Sequence, residues 1–257
     1  MKNLSAAGRI FYGIAIAGMG FLTIYYHDFP YMLIPPHKRI PGLATIASIC
    51  GALLLLAGLC IALGKKVRTI SLLLGTALLL IFCFYFIPYE FFVSPNYMQF
   101  GDWENAAKEL TLCGGAFVIA GCYPEKNETA LTRLLGKLAP IGTIVFAITI
   151  ISYSIDHFLF AREAADYVPS WVPWHLFWMY FCGIALLCSG IAIILKIKTG
   201  IAATLLGAMI LTWFIILHIP RIVVSPVDYL NSEVTSALIA LAYSGIAFVI
   251  AGTPKKQ

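Results

Sequence analysis

The feature that most constrains this chain is the recurrence, along its whole length, of apolar runs about 20 residues long. A helix of that length rises 1.5 Å per residue and covers the ~30 Å hydrocarbon thickness of a bilayer. Hydrophobic residues fill 61% of the 257 positions and charged residues only 11%, against about 25% charged residues in soluble domains. The sequence therefore predicts a membrane protein without a separate soluble domain.

Polar interruptions divide the chain into eight predicted spans, at about 10–26, 42–64, 69–87, 103–122, 139–158, 174–195, 200–218 and 233–252. Backbone polar groups in lipid must be satisfied within a helix or a closed barrel, and these runs exceed the 9–11 residues of a barrel strand. We therefore predict an all-α, polytopic protein with eight transmembrane helices. The first run lacks a small-residue cleavage site, so we expect a retained span and not a signal peptide.

The distribution of charge favours a cytoplasmic N-terminus. That topology places twelve of the seventeen Lys and Arg residues inside, as expected for cytoplasmic loops. These residues are Lys2, Arg9, Lys65, Lys66, Arg68, Lys126, Arg133, Lys137, Lys196, Lys198, Lys255 and Lys256. Ten of the twelve acidic residues and all five histidines then lie outside, where the loops are longer. We expect specific chemistry on that outer face.

The chain contains the same pattern twice. At an offset of 132, Ile87-Pro88 matches Ile219-Pro220, and at an offset of 131 the string AFVIAG at 116–121 recurs at 247–252. We predict a first four-helix unit at 1–123, a cytoplasmic linker at 124–138 and a second unit at 139–257. Four spans per unit make the repeats parallel, with both termini in the cytoplasm.

Several segments of the second half resemble the DoxX-like family of four-span membrane proteins: VPSWVPWH at 168–175, Phe177-Trp178, GIALL at 183–187 and LHIPR at 217–221. The first half is similar more faintly, through Gly51 to Gly58 and WENA at 103–106. This resemblance implies a bacterial inner-membrane protein, some of whose relatives are linked to quinone-dependent thiosulfate oxidation or to membrane oxidoreductase complexes. The chain departs from the simplest family pattern by its duplication.

The second half also carries ionisable side chains at the predicted outer helix ends, which the first half lacks at matching positions. Such residues at the edge of hydrocarbon are candidates for function, and a histidine and an arginine can donate to a carbonyl oxygen between aromatic walls. The predicted ligand-binding residues are Asp156, His157, Arg162, His175, Trp178, His218 and Arg221. A quinone-like molecule or a lipid head group would suit them.

Other interpretations of these residues remain open. Histidine, arginine and tryptophan also anchor helices at the water interface, and Asp156 could form a structural ion pair with Arg221. A metal or haem site is weakly indicated, because His157, His175 and His218 share no helical spacing. No metal is assigned, and catalytic residues are unknown.

Three structural expectations complete the prediction. Pro88 and Pro220 should end their helices. The glycines of the spans, including Gly51, Gly58 and Gly190, should allow close helix contact. Glu90, Asp102, Glu104, Lys108 and Glu109 should lie around helix ends, with Asp102 as an N-cap, and need no ligand.

We therefore expect an integral component of a redox or quinone-linked membrane complex. The alternative is a non-catalytic scaffold or assembly factor that holds a periplasmic or membrane protein partner through its acidic outer face. A transporter is disfavoured because no charged residue is expected at mid-membrane. No nucleic-acid partner is expected, and whether the chain is an enzyme stays open.

Overall fold

The computed structural model describes residues 2–30, 33–35, 41–94 and 103–253, and all regular structure in these ranges is helical. The helices are α1 (Lys2–Tyr26), α2 (Leu43–Ala62), α3 (Val67–Ile81), α4 (Ile87–Phe92), α5 (Glu104–Cys122), α6 (Ala130–Leu135), α7 (Gly142–Leu159), α8 (Ala161–Ala165), α9 (His175–Ile194), α10 (Thr199–Trp213), α11 (Ile219–Val224) and α12 (Leu230–Gly252). The predicted all-α class is confirmed. Outside the described residues lie His37, Lys38, Arg39, Asp102, Lys255 and Lys256.

Seven helical segments of the described chain are long and apolar enough to cross a membrane. They are Asn3–Tyr26, Leu43–Ala62, Val67–Phe92, Ala130–Leu159, His175–Ile194, Thr199–Val224 and Val227–Gly252. Each coincides with one of the predicted spans, which confirms a membrane protein built from transmembrane helices. The remaining predicted span is α5, a complete helix that carries Glu104, Lys108 and Glu109 near its start. These charges distinguish α5 from the seven apolar segments.

The long helices pack in a closed circuit. The order of neighbours is α1, α2, α3, α5, α7, α9, α10 and α12, which returns to α1, and α5 also packs on α12 across the middle. One core cluster of buried apolar residues runs through both halves of the chain. Every residue from 111 to 120 of α5 and from 239 to 252 of α12 is buried. The helix with the most charge in its first turns is therefore at the centre of the molecule.

The outer helices of the circuit turn large apolar side chains outward, as Leu53 on α2 and Leu205 on α10 illustrate. A soluble domain rarely exposes such a continuous apolar surface, whereas a bilayer covers it without cost. The apolar character of these helices thus follows from where they lie in the circuit.

Glycines set the closest helix contacts, as the sequence predicts. A methyl group on Gly58 would lie 2.5 Å from the carbonyl oxygen of Gly13, and one on Gly20 would lie 2.5 Å from that of Gly51. These two pairs bring the backbones of α1 and α2 together. Gly190 of α9 similarly approaches the carbonyl oxygen of Ala147, at 3.0 Å from its would-be methyl group.

The two halves also meet through glycine. A methyl group on Gly8 of α1 would lie 2.3 Å from the carbonyl oxygen of Gly245 on α12, and one on Gly142 of α7 would lie 2.5 Å from that of Gly114 on α5. Contacts between the halves are therefore as close as those within them.

The prediction that Pro88 and Pro220 end their helices is wrong. A π-helical segment at Phe82–Phe86 precedes α4, and another at Phe214–His218 precedes α11, so that each helix continues past its proline to Phe92 or Val224. Proline lacks the backbone N–H of an α-helical hydrogen bond, and its ring crowds the preceding turn of an α-helix. The preceding π turn is wider and so makes room for the ring. The proline is thus accommodated within a continuous span.

Two ends of the bundle can now be distinguished. We call the end where α1 and α7 finish and where α5, α9 and α12 begin the histidine end, because the described histidines lie there; the opposite end is the basic end. At the basic end Arg9 donates to the carbonyl of Ala62 at 2.8 Å, and Arg68 donates to that of Ala120 at 2.7 Å. These arginines satisfy carbonyls at helix C-termini, which have no partner within the helix.

The predicted linker is folded against the basic end. It contains α6 and a 3-10 helix at Gly136–Ile141, which pack on α3 and α5. Glu128 forms an ion pair with Arg68, and the side chain of Glu125 accepts a hydrogen bond from the Thr69 hydroxyl at 2.7 Å. The connection between the halves therefore has defined contacts along its length.

Candidate functional site

A charged cluster at the histidine end joins α11, α12 and the segment between α8 and α9. Arg221 forms a bidentate ion pair with Glu233, with its Nε 2.8 Å from a carboxylate oxygen, and its guanidinium stacks 4.5 Å above the ring of Tyr167. The planar guanidinium suits both contacts, because it offers a fork of donors to a carboxylate and a flat face to a ring. Glu233 and Arg221 are both partly buried.

His218 completes this cluster from the last position of its π-helical segment. It interacts electrostatically with both Glu233 and Arg221. Its Nδ1 atom is buried and makes no hydrogen bond within the described part of the chain. A buried ring nitrogen without a partner is costly, so this atom is where a bound molecule would restore a hydrogen bond. We call His218, Arg221, Glu233 and Tyr167 the His218 cluster.

Asp156 and His157, on the last turn of α7, have other interaction partners than the His218 cluster. The His157 ring bonds to the carbonyl of Tyr153 at 2.8 Å, and both Asp156 and His157 interact electrostatically with Glu104 on α5. Glu104 in turn pairs with Lys108 at 2.8 Å. The ion pair between Asp156 and Arg221, which the sequence left open, does not form, since Arg221 pairs with Glu233 on α12.

The other predicted ligand-binding residues lie at the same end without joining these charged groups in the described contacts. Arg162 is exposed on α8, and His175 is the first residue of α9. Trp178 donates from its indole nitrogen to the carbonyl of Pro173 at 3.1 Å and packs edge-on against Trp213, with ring centroids 6.0 Å apart. The residues predicted to form one site are thus separated: His218 and Arg221 form one charged group, Asp156 and His157 lie in another, Trp178 packs on Trp213, and Arg162 and His175 join none of these.

Sequence reasoning missed Glu109, which it assigned to a helix end. The side chain of Glu109 is 0% exposed, and neither carboxyl oxygen has a hydrogen-bond partner among the described residues. The helical spacing contained a signal, because Glu109 precedes Cys113 by four residues and Ala116 by seven and so shares a helix face with apolar side chains. Glu104 and Lys108 follow another face of α5, which reaches the surface.

Three tyrosines surround this region from neighbouring helices. The Tyr12 hydroxyl donates to the carbonyl of Leu112 at 2.7 Å, and the hydroxyls of Tyr153 and Tyr243 lie 3.1 Å apart. Tyr12 and Tyr243 both interact electrostatically with Glu109. The centre of the bundle therefore contains a polar group of protonatable side chains enclosed by apolar helices.

These arrangements differ in the chemistry that they allow. The His218 cluster offers a donor or acceptor nitrogen beside a fixed ion pair, which suits a molecule with a carbonyl, hydroxyl or phosphate oxygen. The region around Glu109 offers a carboxyl group and hydroxyls, which suit a proton. Within the described ranges no group of three or more His, Cys, Asp or Glu side chains could hold a metal ion.

Comparisons with protein-family models, with curated proteins and with solved structures found no match for this chain. The resemblance to DoxX-like proteins accordingly stays a prediction from the residues that carry it.

Proposed function

We propose that this protein is a DoxX-like protein of the bacterial inner membrane, with eight spans arranged as two four-helix units and both termini in the cytoplasm. In this topology α5 is the eighth span, and its charges are tolerated because neighbouring helices shield it from lipid. The matched local conformations of the two halves support the duplication. Lys66 and Lys198 both adopt left-handed backbone angles, with φ of 48° and 42°, immediately before α3 and α10.

We further propose that the protein is an integral component of a redox or quinone-linked membrane complex, and that the His218 cluster holds a quinone-like molecule or a lipid head group. The observation that carries this proposal is the buried Nδ1 atom of His218, which lacks a hydrogen-bond partner in the described chain. A quinone carbonyl or a head-group oxygen would supply the missing partner.

The surroundings of the His218 cluster suit such a ligand. Glu233 holds the Arg221 guanidinium in place, and Tyr167 covers one of its faces. Trp213, five residues before His218, belongs to an aromatic wall with Trp178. Binding sites for flat apolar ligands typically combine such walls with a few fixed polar groups.

A binding measurement on the purified protein tests this function. A short-chain benzoquinone should quench tryptophan fluorescence in the parent protein. His218→Gln should raise the half-saturating quinone concentration by roughly tenfold, as expected for one hydrogen bond lost in a site without water. His27→Gln is the matched control, because His27 is exposed at the same end and bonds to Ser48.

The outcome also separates the two ligand classes. If His218→Gln leaves quinone quenching unchanged but lowers the amount of anionic phospholipid that copurifies, the head group is the ligand. If neither quantity changes in a correctly folded variant, the proposed site is wrong.

A non-catalytic scaffold is the second candidate function, and the exposed aromatic residues between α8 and α9 favour it. Trp171 is 67% exposed and Trp174 is 77% exposed, and tryptophan is enriched where proteins bind one another. Crosslinking in cells should capture a stoichiometric periplasmic or membrane partner that is lost when both tryptophans are replaced by serine. Retention of that partner in the double variant would argue against this function.

A further inference from the structure

The carboxyl group of Glu109 lies deep inside the helical bundle. Along α5 it is about five residues, roughly 8 Å, from the start of the helix at the histidine end and about 13 residues, roughly 20 Å, from its end at the basic end, and its side chain has no solvent exposure. Helix α5 packs on α3, α7 and α12, and Tyr12 reaches it from α1. An acidic group at such a position within a membrane domain is expensive and is a candidate for function.

Among the described residues, no positive charge compensates Glu109. The titratable side chains that interact with it are Tyr12 on α1, Cys113 on α5 and Tyr243 on α12. Lys108 is its neighbour in sequence, but the Lys108 ammonium pairs with Glu104 and with the Asn105 side chain. Burial of an unpaired carboxylate costs far more free energy than burial of the neutral acid. The carboxyl group is therefore held in its protonated form while nothing cationic is bound beside it.

A line of hydroxyl groups runs from this region toward the histidine end. The Tyr243 hydroxyl interacts with Thr111 and lies 3.1 Å from the Tyr153 hydroxyl, which is 3.5 Å from the backbone carbonyl of Glu104. Beyond them, Asp156 and the exposed carboxylate of Glu104 lie at the end of the bundle. Hydroxyl groups both donate and accept hydrogen bonds, so a pair of them can pass a proton on.

We propose that Glu109 is a proton-binding site within the membrane domain, and that it exchanges its proton with the histidine end through the hydroxyls of Tyr243 and Tyr153. The proton leaves the Glu109 carboxyl for the Tyr243 oxygen after a rotation of the Glu109 side chain. Tyr243 passes its own hydrogen to Tyr153, and Tyr153 passes its hydrogen to the carboxylate of Asp156 or Glu104. Both tyrosines end neutral, and the reverse relay returns a proton from the histidine end, so that Glu109 is ionised only during the exchange.

Infrared spectroscopy of the full chain in phosphatidylcholine vesicles tests the protonation state. A neutral carboxyl group has a C=O stretching band separate from those of carboxylates and amides, and this band shifts on transfer to D2O. We expect the band in the parent protein and in Glu163→Gln, a control at an exposed carboxylate on α8, and its loss in Glu109→Gln. A band that persists in folded Glu109→Gln, or that the parent lacks, would overturn the proposal.

The rate at which the band shifts in D2O tests the route. Tyr153→Phe and Tyr243→Phe each remove one hydroxyl and should slow the exchange by roughly fivefold, equivalent to about 1 kcal/mol. Tyr229→Phe, which alters an exposed tyrosine near the same end, should exchange at the parental rate. Parental rates in both buried variants would show that the proton reaches Glu109 by another path. Tyr153→Phe and Tyr243→Phe keep the rings that pack in the core, so we expect both variants to fold.

Discussion

Replacement of Gly58 by alanine should destabilise the protein, although alanine is the better helix former. The added methyl group would lie 2.3 Å from the backbone nitrogen of Ala17 and 2.5 Å from the carbonyl oxygen of Gly13. Ordinary contact begins at 3.4 Å, so α1 and α2 would have to separate by about 1 Å. Backbone atoms cannot move aside as the tip of a side chain can.

The expected magnitude follows from two opposing terms. A gap of about 1 Å removes up to half of the dispersion energy of the contacts it separates, and overpacking of this kind typically costs about 1–3 kcal/mol. The gain in helix propensity from glycine to alanine returns up to about 1 kcal/mol. We therefore expect Gly58→Ala to lower the free energy of unfolding by about 1–2 kcal/mol.

Gly121→Ala is the matched control. Gly121 is also helical, but within the described chain its added methyl group would meet only the Ala139 side chain, at 3.8 Å. This variant should be as stable as the parent or more stable. Unfolding of the purified proteins in detergent, followed by far-UV circular dichroism, measures both. If Gly58→Ala is as stable as Gly121→Ala, the close packing of α1 on α2 does not limit stability and the reasoning is wrong.

Three further outcomes are expected. Replacement of Arg221 by methionine should cost about 1–3 kcal/mol, because it leaves the partly buried Glu233 unpaired, whereas methionine at both positions should cost less in the same unfolding assay. Burial raises the pKa of Glu125, but hydrogen bonds from Thr69 and the Arg68 backbone, with the charge of Lys66, together set the folded-state pKa below the ordinary 4.5. The resulting stabilisation is complete above the ordinary pKa and is lost as the pH falls through the folded-state value, so Thr69→Val should show a smaller loss of stability on acidification below about pH 5. Replacement of Pro220 by alanine restores a backbone N–H and should convert the preceding π turn to α-helix, as a structure of the variant would reveal.

The positions of the spans could be predicted because hydrocarbon demands long apolar runs, and the seven apolar segments lie where those runs are. The central position of α5 could not be predicted from the same signal. Its charges make it resemble a helix at the edge of the bundle, and only the packing reveals that Glu109 faces inward while Glu104 faces the surface. Hydropathy predicts which helices tolerate contact with lipid, but it does not predict which helix is buried between the others.

The candidate site was predictable in its components and not in its grouping. His218 and Arg221 are close in sequence, and the structure keeps them together. Asp156 comes from another helix, and its partner depends on which of several helices packs beside α7, a tertiary property that charge and spacing do not encode. Glu233, the partner of Arg221, lies in the first turn of α12. Acidic residues are common in first turns, so its position in the sequence does not indicate a site.

The close contacts between the two halves suggest how such a chain could arise. Helix α1 packs on α12, and α7 packs on α5, so each half uses its first helix to meet the last helix of the other half. An ancestral four-helix chain with this surface would have formed a symmetric pair of identical subunits. Under the duplication proposed above, the π turn that both halves carry at the same place would date from the ancestor. Fusion of two copies would then free each to change alone, so that one could acquire Glu109 and the other His218.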